Sequence, residues 1–104
     1  MKRIAFKMQL HRGKEKEYQR RHDAIWPELK KLLVEAGIVD YSIFLDEETN
    51  TLLGVLKIED PGRLDRLPEN PVMRRWWSHM KDIMDTHPDH SPITKPLKEV
   101  FYLA

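Results

Sequence analysis

"VDYSIFLDEETNTLLGVLKI", Val39 to Ile58, is the stretch that decides the fold. Val39, Tyr41, Ile43 and Leu45 alternate onto one face, as side chains do along a strand. "DEETN" (46–50) supplies turn residues, and "TLLGVLKI" (51–58) resumes an extended apolar run, so the whole reads as a β-hairpin. Within "LLGVL" both alternating sets are apolar, so the second strand of the hairpin calls for burial on both faces.

Toward the N-terminus, Tyr18, His22, Ile25, Leu29, Leu32 and Ala36 recur every three or four residues, and Gly37 follows as a C-terminal stop. This is a helix. Pro27 falls inside it, where a proline removes a backbone donor and clashes one turn back, so a kink or restart is expected near Ala24 to Trp26. Before the helix, Ile4, Phe6, Met8 and Leu10 alternate with Ala5, Lys7 and Gln9 as a first strand.

Toward the C-terminus, Asp60 and Asn70 each stand directly before a proline, the capping residue and first-turn proline of a helix start. Met73, Trp76, Trp77, Met80 and Met84 form the apolar stripe of a second helix. "DTHPDHSPITKP" (85–96), with three prolines, reads as a long loop, and "LKEVFYL" (97–103) as a fourth strand. Strand, helix, strand, strand, helix, strand is the split βαβ order, which builds a four-stranded sheet with both helices on one face. The other face is left uncovered, and the two-sided apolar strand makes a second copy's sheet the expected cover.

A chain of 104 residues has the size of one domain, read here as residues 1–104, and buries little enough surface that self-association would help it. Its 18 basic residues are interleaved with 17 acidic ones for a net charge of +1, which argues against a phosphate-backbone binder and hence against nucleic acid as a partner. There is no cysteine for disulfide or thiol chemistry. "MKRIAFKMQL" has no signal-peptide core, and no run approaches the roughly 20 apolar residues of a membrane span, so a soluble, cytoplasmic protein is expected.

The candidate site lies on the helix stripe. Tyr18 and His22 are four apart and share a face, Tyr41 stands on the following strand, and the adjacent Trp76 and Trp77 lie on the second helix. Brought together, one imidazole, two phenols and two indoles suit a neutral polyol, whose C–H surface packs on aromatic faces while a few polar groups orient it. The histidine adds a group able to give and take a proton near neutral pH. Plain packing is the competing reading of each residue: inward histidines are often hydrogen-bonded core residues, Tyr41 alternates correctly for core, and "RRWW" fills a small interior well. His87 and His90, with Asp85 and Asp89, have ligand-type side chains, but no second cluster completes a set and a metal site is not expected. His11 and His79 read as surface residues, and the charges of "GKEKEYQRRH" (13–22) as a solvated face. The chain has no glycine-rich phosphate loop, no G-x-S-x-G and no H-E-x-x-H.

"EYQRRHDAIWPEL" (17–29), "YSIFLD" (41–46), "RRWW" (74–77), the P-D-x-S-P loop (88–92) and the terminal "EVFYL" together resemble the L-rhamnose mutarotase family, over nearly the whole chain. The resemblance implies an α+β fold, a dimeric α+β barrel of ferredoxin-like βαββαβ protomers with a four-stranded antiparallel sheet. It also implies an isomerase that interconverts the α and β anomers of L-rhamnose by acid–base ring opening and closure, as a homodimer and without a cofactor. The family's proton donor falls on His22, and its sugar contacts fall on Tyr18, Tyr41, Trp76 and Trp77. "HPDHSP" (87–92) departs from the pattern with its histidines, which leaves the loop's part in closing the site open. Haem- or flavin-handling monooxygenases and non-catalytic sugar-binding dimers on the same architecture are the alternatives.

Overall fold

The hairpin forms as read. In the computed structural model, which describes residues 1–104, β2 (Ile38–Asp46) pairs antiparallel with β3 (Thr51–Ile58). Asn50 closes the turn in the left-handed conformation, and its buried side chain donates to the His11 carbonyl at 3.1 Å, tying the turn to the end of the first strand. That strand, β1 (Lys2–Gln9), runs antiparallel along the whole of β3. With the short β4 (Lys95–Leu97) on β1's other edge, the sheet order is β2-β3-β1-β4, the order the split βαβ reading requires.

The first helix breaks where proline was expected to break it. α1 covers Glu15–Asp23 and α2 Pro27–Glu35, with Pro27 as the first residue of α2. Trp26, preceding the proline, is forced into extended backbone, and its carbonyl accepts from the amides of Leu29 and Lys30, both at 3.0 Å. Gly37 ends α2 at φ +90°, a conformation that a side chain would strain. Asp60 caps a 3-10 helix (Pro61–Glu69), accepting from the Gly62 amide, and Asn70 caps α3 (Pro71–Met80), accepting from the Val72 amide at 2.9 Å.

Helices α1, α2 and α3 pack on one face of the sheet. Their inward residues, among them Tyr18, Leu29, Met73, Trp76 and Met80, meet Met8, Leu10 and Leu52 in a common core. Gly54 of β3 faces Phe6 of β1, and a Cβ on Gly54 would lie inside the Phe6 ring. The glycine is therefore what lets the ring lie flat across the sheet toward Tyr41, 6.3 Å away edge-on.

Three details differ from the sequence reading. β2 carries a bulge between Val39 and Ser42, with Asp40 at φ +50°, so the alternation slips by one. Ile38 (7 % exposed), not Val39 (38 %), consequently shares the inner face with Tyr41. α3 stops at Met80, and Met84 reaches the core instead through a bridge to Leu10 that follows a turn. The fourth strand occupies Lys95–Leu97, its pairing with β1 ending at Ala5 opposite Leu97, and residues 98–104 carry no regular structure.

Candidate active site

The break after Asp23 leaves His22 in the last turn of α1, where it lines the main cavity. Its Nδ1 lies 3.0 Å from the carbonyl oxygen of Tyr18, one turn earlier. A carbonyl can only accept, so Nδ1 carries the proton, and in the neutral ring Nε2 is left with its lone pair. The imidazole stacks on the Tyr18 ring with centroids 4.3 Å apart, and the edge of Trp76 meets it at 5.4 Å. Trp76 in turn meets Trp26 edge-on at 5.1 Å, and His79 packs at 5.5 Å from Trp26.

Two influences compete over the His22 charge. The Tyr18 carbonyl and Asp23 favour the imidazolium, whereas burial among aromatic rings disfavours it. Burial wins, and the imidazole pKa falls below its usual 6.5. Burial of the phenol group also pushes Tyr41 up to about 12, although the residue as a whole is 38 % exposed, and raises Tyr18 further, with Tyr41 adding to the Tyr18 shift. At neutral pH the site therefore holds an imidazole acceptor beside two protonated phenols, all uncharged.

These groups line one cavity of about 1290 Å³ between the sheet and the helices, which Tyr18, His22, Tyr41, Trp76 and Trp77 all border. All five residues expected at a site are thus brought together. The volume exceeds the roughly 300–1,000 Å³ usual for small-molecule sites, so one monosaccharide fills only part of it. Trp76 is buried, with Trp77 beside it only partly so, which makes Trp76 a structural wall as well as a lining residue.

Two further residues shape the site. Trp26 completes the aromatic cluster, and the tryptophan-proline pair at the helix break was the signal for it. Arg21 was read as part of a solvated face, but its side chain is only 11 % exposed. It donates through Nε to Glu17 at 2.6 Å, through Nη1 to the His79 carbonyl at 2.6 Å, and in bidentate fashion to Asp82 at 2.9 and 3.1 Å. This clamp ties α1, next to His22, to the end of α3. The loop residues considered for a metal have separate partners: Asp85 pairs with His11 at 3.0 Å, Asp89 accepts from the Ser91 amide, and His90 meets the Ser78 hydroxyl at 2.8 Å. His90 also borders the cavity. No helix is long and apolar enough to cross a membrane.

A family model described as L-rhamnose mutarotase matches residues 3–103. The chain belongs to this family. An L-rhamnose mutarotase of Rhizobium meliloti (strain 1021) is 58 % identical over 103 residues, 99 % of each chain. That of Formosa agariphila is 50 % identical over 103 residues, again 99 % of each. A crystal structure of an L-rhamnose mutarotase from Formosa agariphila superposes with a TM-score of 0.93 at 47 % identity, covering 100 % of both chains. A conserved protein from Methanosarcina mazei Go1 shares the fold at 17 % identity, with a TM-score of 0.62 over 93 % of this chain and 90 % of its own. The topology of this chain is thus that of a solved mutarotase.

Proposed function

We propose that the chain, a single domain over residues 1–104, is a cytoplasmic L-rhamnose mutarotase acting as a homodimer, with His22 as its proton-transfer group. The observation that carries this reading is the hydrogen bond from His22 Nδ1 to the Tyr18 carbonyl, which leaves Nε2 as an acceptor beside an aromatic cavity. Anomer exchange asks for little more. The O–H bond of the C1 hydroxyl and the bond from C1 to the ring oxygen break, while a C1 carbonyl and a hydroxyl at the former ring oxygen form. Both oxygens sit on C1, so one imidazole reaches each in turn. Nε2 takes the C1 hydroxyl proton and, as imidazolium, returns it to the ring oxygen. The aldehyde turns about the C1–C2 bond, and reclosure on its other face by the reverse transfers gives the opposite anomer, with no net proton gained.

Positioned proton transfer of this kind supplies roughly 10²–10⁴-fold, adequate for a reaction that already proceeds in water. The family resemblance makes His22 the proton donor; its lowered pKa favours a neutral ring that accepts first and donates second. Tyr18 and Tyr41 orient the sugar by donating from phenols that stay protonated, and Trp76 and Trp77 pack against its C–H face and 6-methyl group. Selectivity for the methyl is modest, because an apolar wall rejects an added hydroxyl weakly. Saturation-transfer NMR between the α and β resonances of L-rhamnose tests the proposal. Enzyme-dependent exchange is expected, and sugar binding without faster exchange would reduce the protein to a binding module.

A further inference from the structure

We infer that Arg21, granted the reading of His22 as the proton-transfer group, is a positioning residue of the reaction: it pins the helical turn that carries His22 to the C-terminal end of α3. Arg21 does not border the cavity, so its effect on the sugar passes through its neighbour.

Helix α1 has little of its own to hold that turn. It is nine residues long, and an isolated helix shorter than about 12–15 residues is marginal in water. No side chain caps its N-terminus, Ala24 ends it without a glycine stop, and Tyr18 is its one fully buried residue.

Arg21 supplies the anchor. Its side chain is 11 % exposed, and its guanidinium meets acceptors on both helices. Nε donates to Glu17 at 2.6 Å, Nη1 to the His79 carbonyl at 2.6 Å, and Nη1 and Nη2 to the two oxygens of Asp82 at 2.9 and 3.1 Å. The His79 carbonyl is one of the last four of α3, which lack partners inside the helix, and a cation there also meets the negative end of the helix dipole. A rigid planar fork of five donors suits three acceptors at set angles; an ammonium on a flexible stem does not.

The anchor closes a ring of contacts around the imidazole. The His79 ring packs 5.5 Å from Trp26 and 5.6 Å from Trp76, and Trp76 meets the His22 ring edge-on at 5.4 Å. Arg21 therefore joins both ends of the path that runs from His22 through Trp76 to His79. The closed circuit fixes where Nε2 stands in the cavity. A misplacement of about 1 Å costs on the order of 100-fold in rate, while Tyr41 and Trp77, on other elements, still bind the sugar. Loss of the anchor falls on kcat and spares KM.

Saturation-transfer NMR at several L-rhamnose concentrations tests this on the full chain and its variants. In Arg21→Met, kcat is expected to fall by about 10–100-fold with KM changed by less than about threefold, and Arg21→Lys to recover part of kcat. Asp82→Asn removes one partner at a side chain 61 % exposed, where folding is not at stake, and should lower kcat in the same direction. Asn70→Ala, which loses the cap of α3 and stability with it, should keep the parental kcat at a temperature where every chain is folded by circular dichroism. The imidazole ¹⁵N shifts of His22 supply a second readout: the parent shows the Nδ1-protonated tautomer, and Arg21→Met should move both nitrogens toward the mean of the two tautomers. A folded Arg21→Met with parental kcat and parental ring shifts overturns the inference, and so does an equal fall of kcat in Asn70→Ala. Should Arg21→Met not fold, parental kcat in both Arg21→Lys and Asp82→Asn overturns it. A parent chain that does not speed exchange overturns the reading of His22 and the anchor with it.

Discussion

His22 Nδ1 donates to the carbonyl of Tyr18 at 3.0 Å, and this bond between two residues of one helix sets the tautomer of the site. It follows from the four-residue spacing on α1, which stacks the imidazole over the turn that carries the Tyr18 carbonyl. Replacement of His22 by Gln keeps a donor for the carbonyl but no proton carrier. Anomer exchange measured by saturation-transfer NMR is expected to fall by roughly 10²–10⁴-fold with the thermal midpoint little changed. A rate near that of the parent would remove His22 from the chemistry.

The pH dependence follows from the direction of the His22 shift. Burial holds its pKa below 6.5, so the accepting form persists into mild acid and the acid limb of kcat/KM for anomer exchange should inflect below that value. Stability moves in the same sense. As pH falls below about 6.5 the unfolded chain binds this proton before the folded one does, so the native state loses stability until the folded-state pKa is passed. An NMR titration of the imidazole Cε1 proton that inflects above 6.5 would contradict both statements.

Trp76 and Trp77 should separate in their effects. Trp76 is buried against His22, Trp26 and His79, so Trp76→Ala is expected to cost about 3–5 kcal/mol of stability as well as sugar affinity. Trp77 is partly exposed, and Trp77→Ala should weaken L-rhamnose binding while leaving the denaturant midpoint nearly in place. Calorimetric titration beside urea unfolding reads both, and equal loss of stability in the two variants would deny the distinction.

Gly54→Ala places a methyl inside the Phe6 ring and should destabilise by about 1–3 kcal/mol in urea unfolding. The displaced ring also shifts its edge contact with Tyr41, so the affinity for sugar should fall. Phe6→Leu in the same chain should recover part of the stability; a wholly additive loss would mean that the two sites do not meet.

Arg21→Met removes the clamp between α1 and the end of α3 and is expected to lower stability by about 1–3 kcal/mol. Arg20, and after it Arg21, hold the Glu17 carboxyl at about 2, and Arg21 also lowers that of Asp82, so the part due to Arg21 is intact above the usual carboxylate range and is lost as pH falls below it. The stability difference between parent and variant should therefore narrow in strong acid. A constant difference down to pH 2 would point to packing of the arginine stem alone.

The hairpin at 39–58, the restart at Pro27, the stop at Gly37 and the caps at Asp60 and Asn70 were legible because each rests on local rules of alternation, ring closure and backbone conformation. The four-residue spacing of Tyr18 and His22 was legible for the same reason, and family likeness marked Tyr41, Trp76 and Trp77. Tertiary structure decided what local rules leave open. The Asp40 bulge put Ile38 and not Val39 on the inner face, and edge pairing with β1 put the fourth strand at Lys95–Leu97, which shares only Leu97 with "LKEVFYL". It also decided the state of the site: the spacing of Tyr18 and His22 says that they share a face, but only the rings and strands packed around them fix how deeply the imidazole is buried. Desolvation depends on that enclosure, and it is what leaves His22 neutral and its Nε2 free to accept a proton.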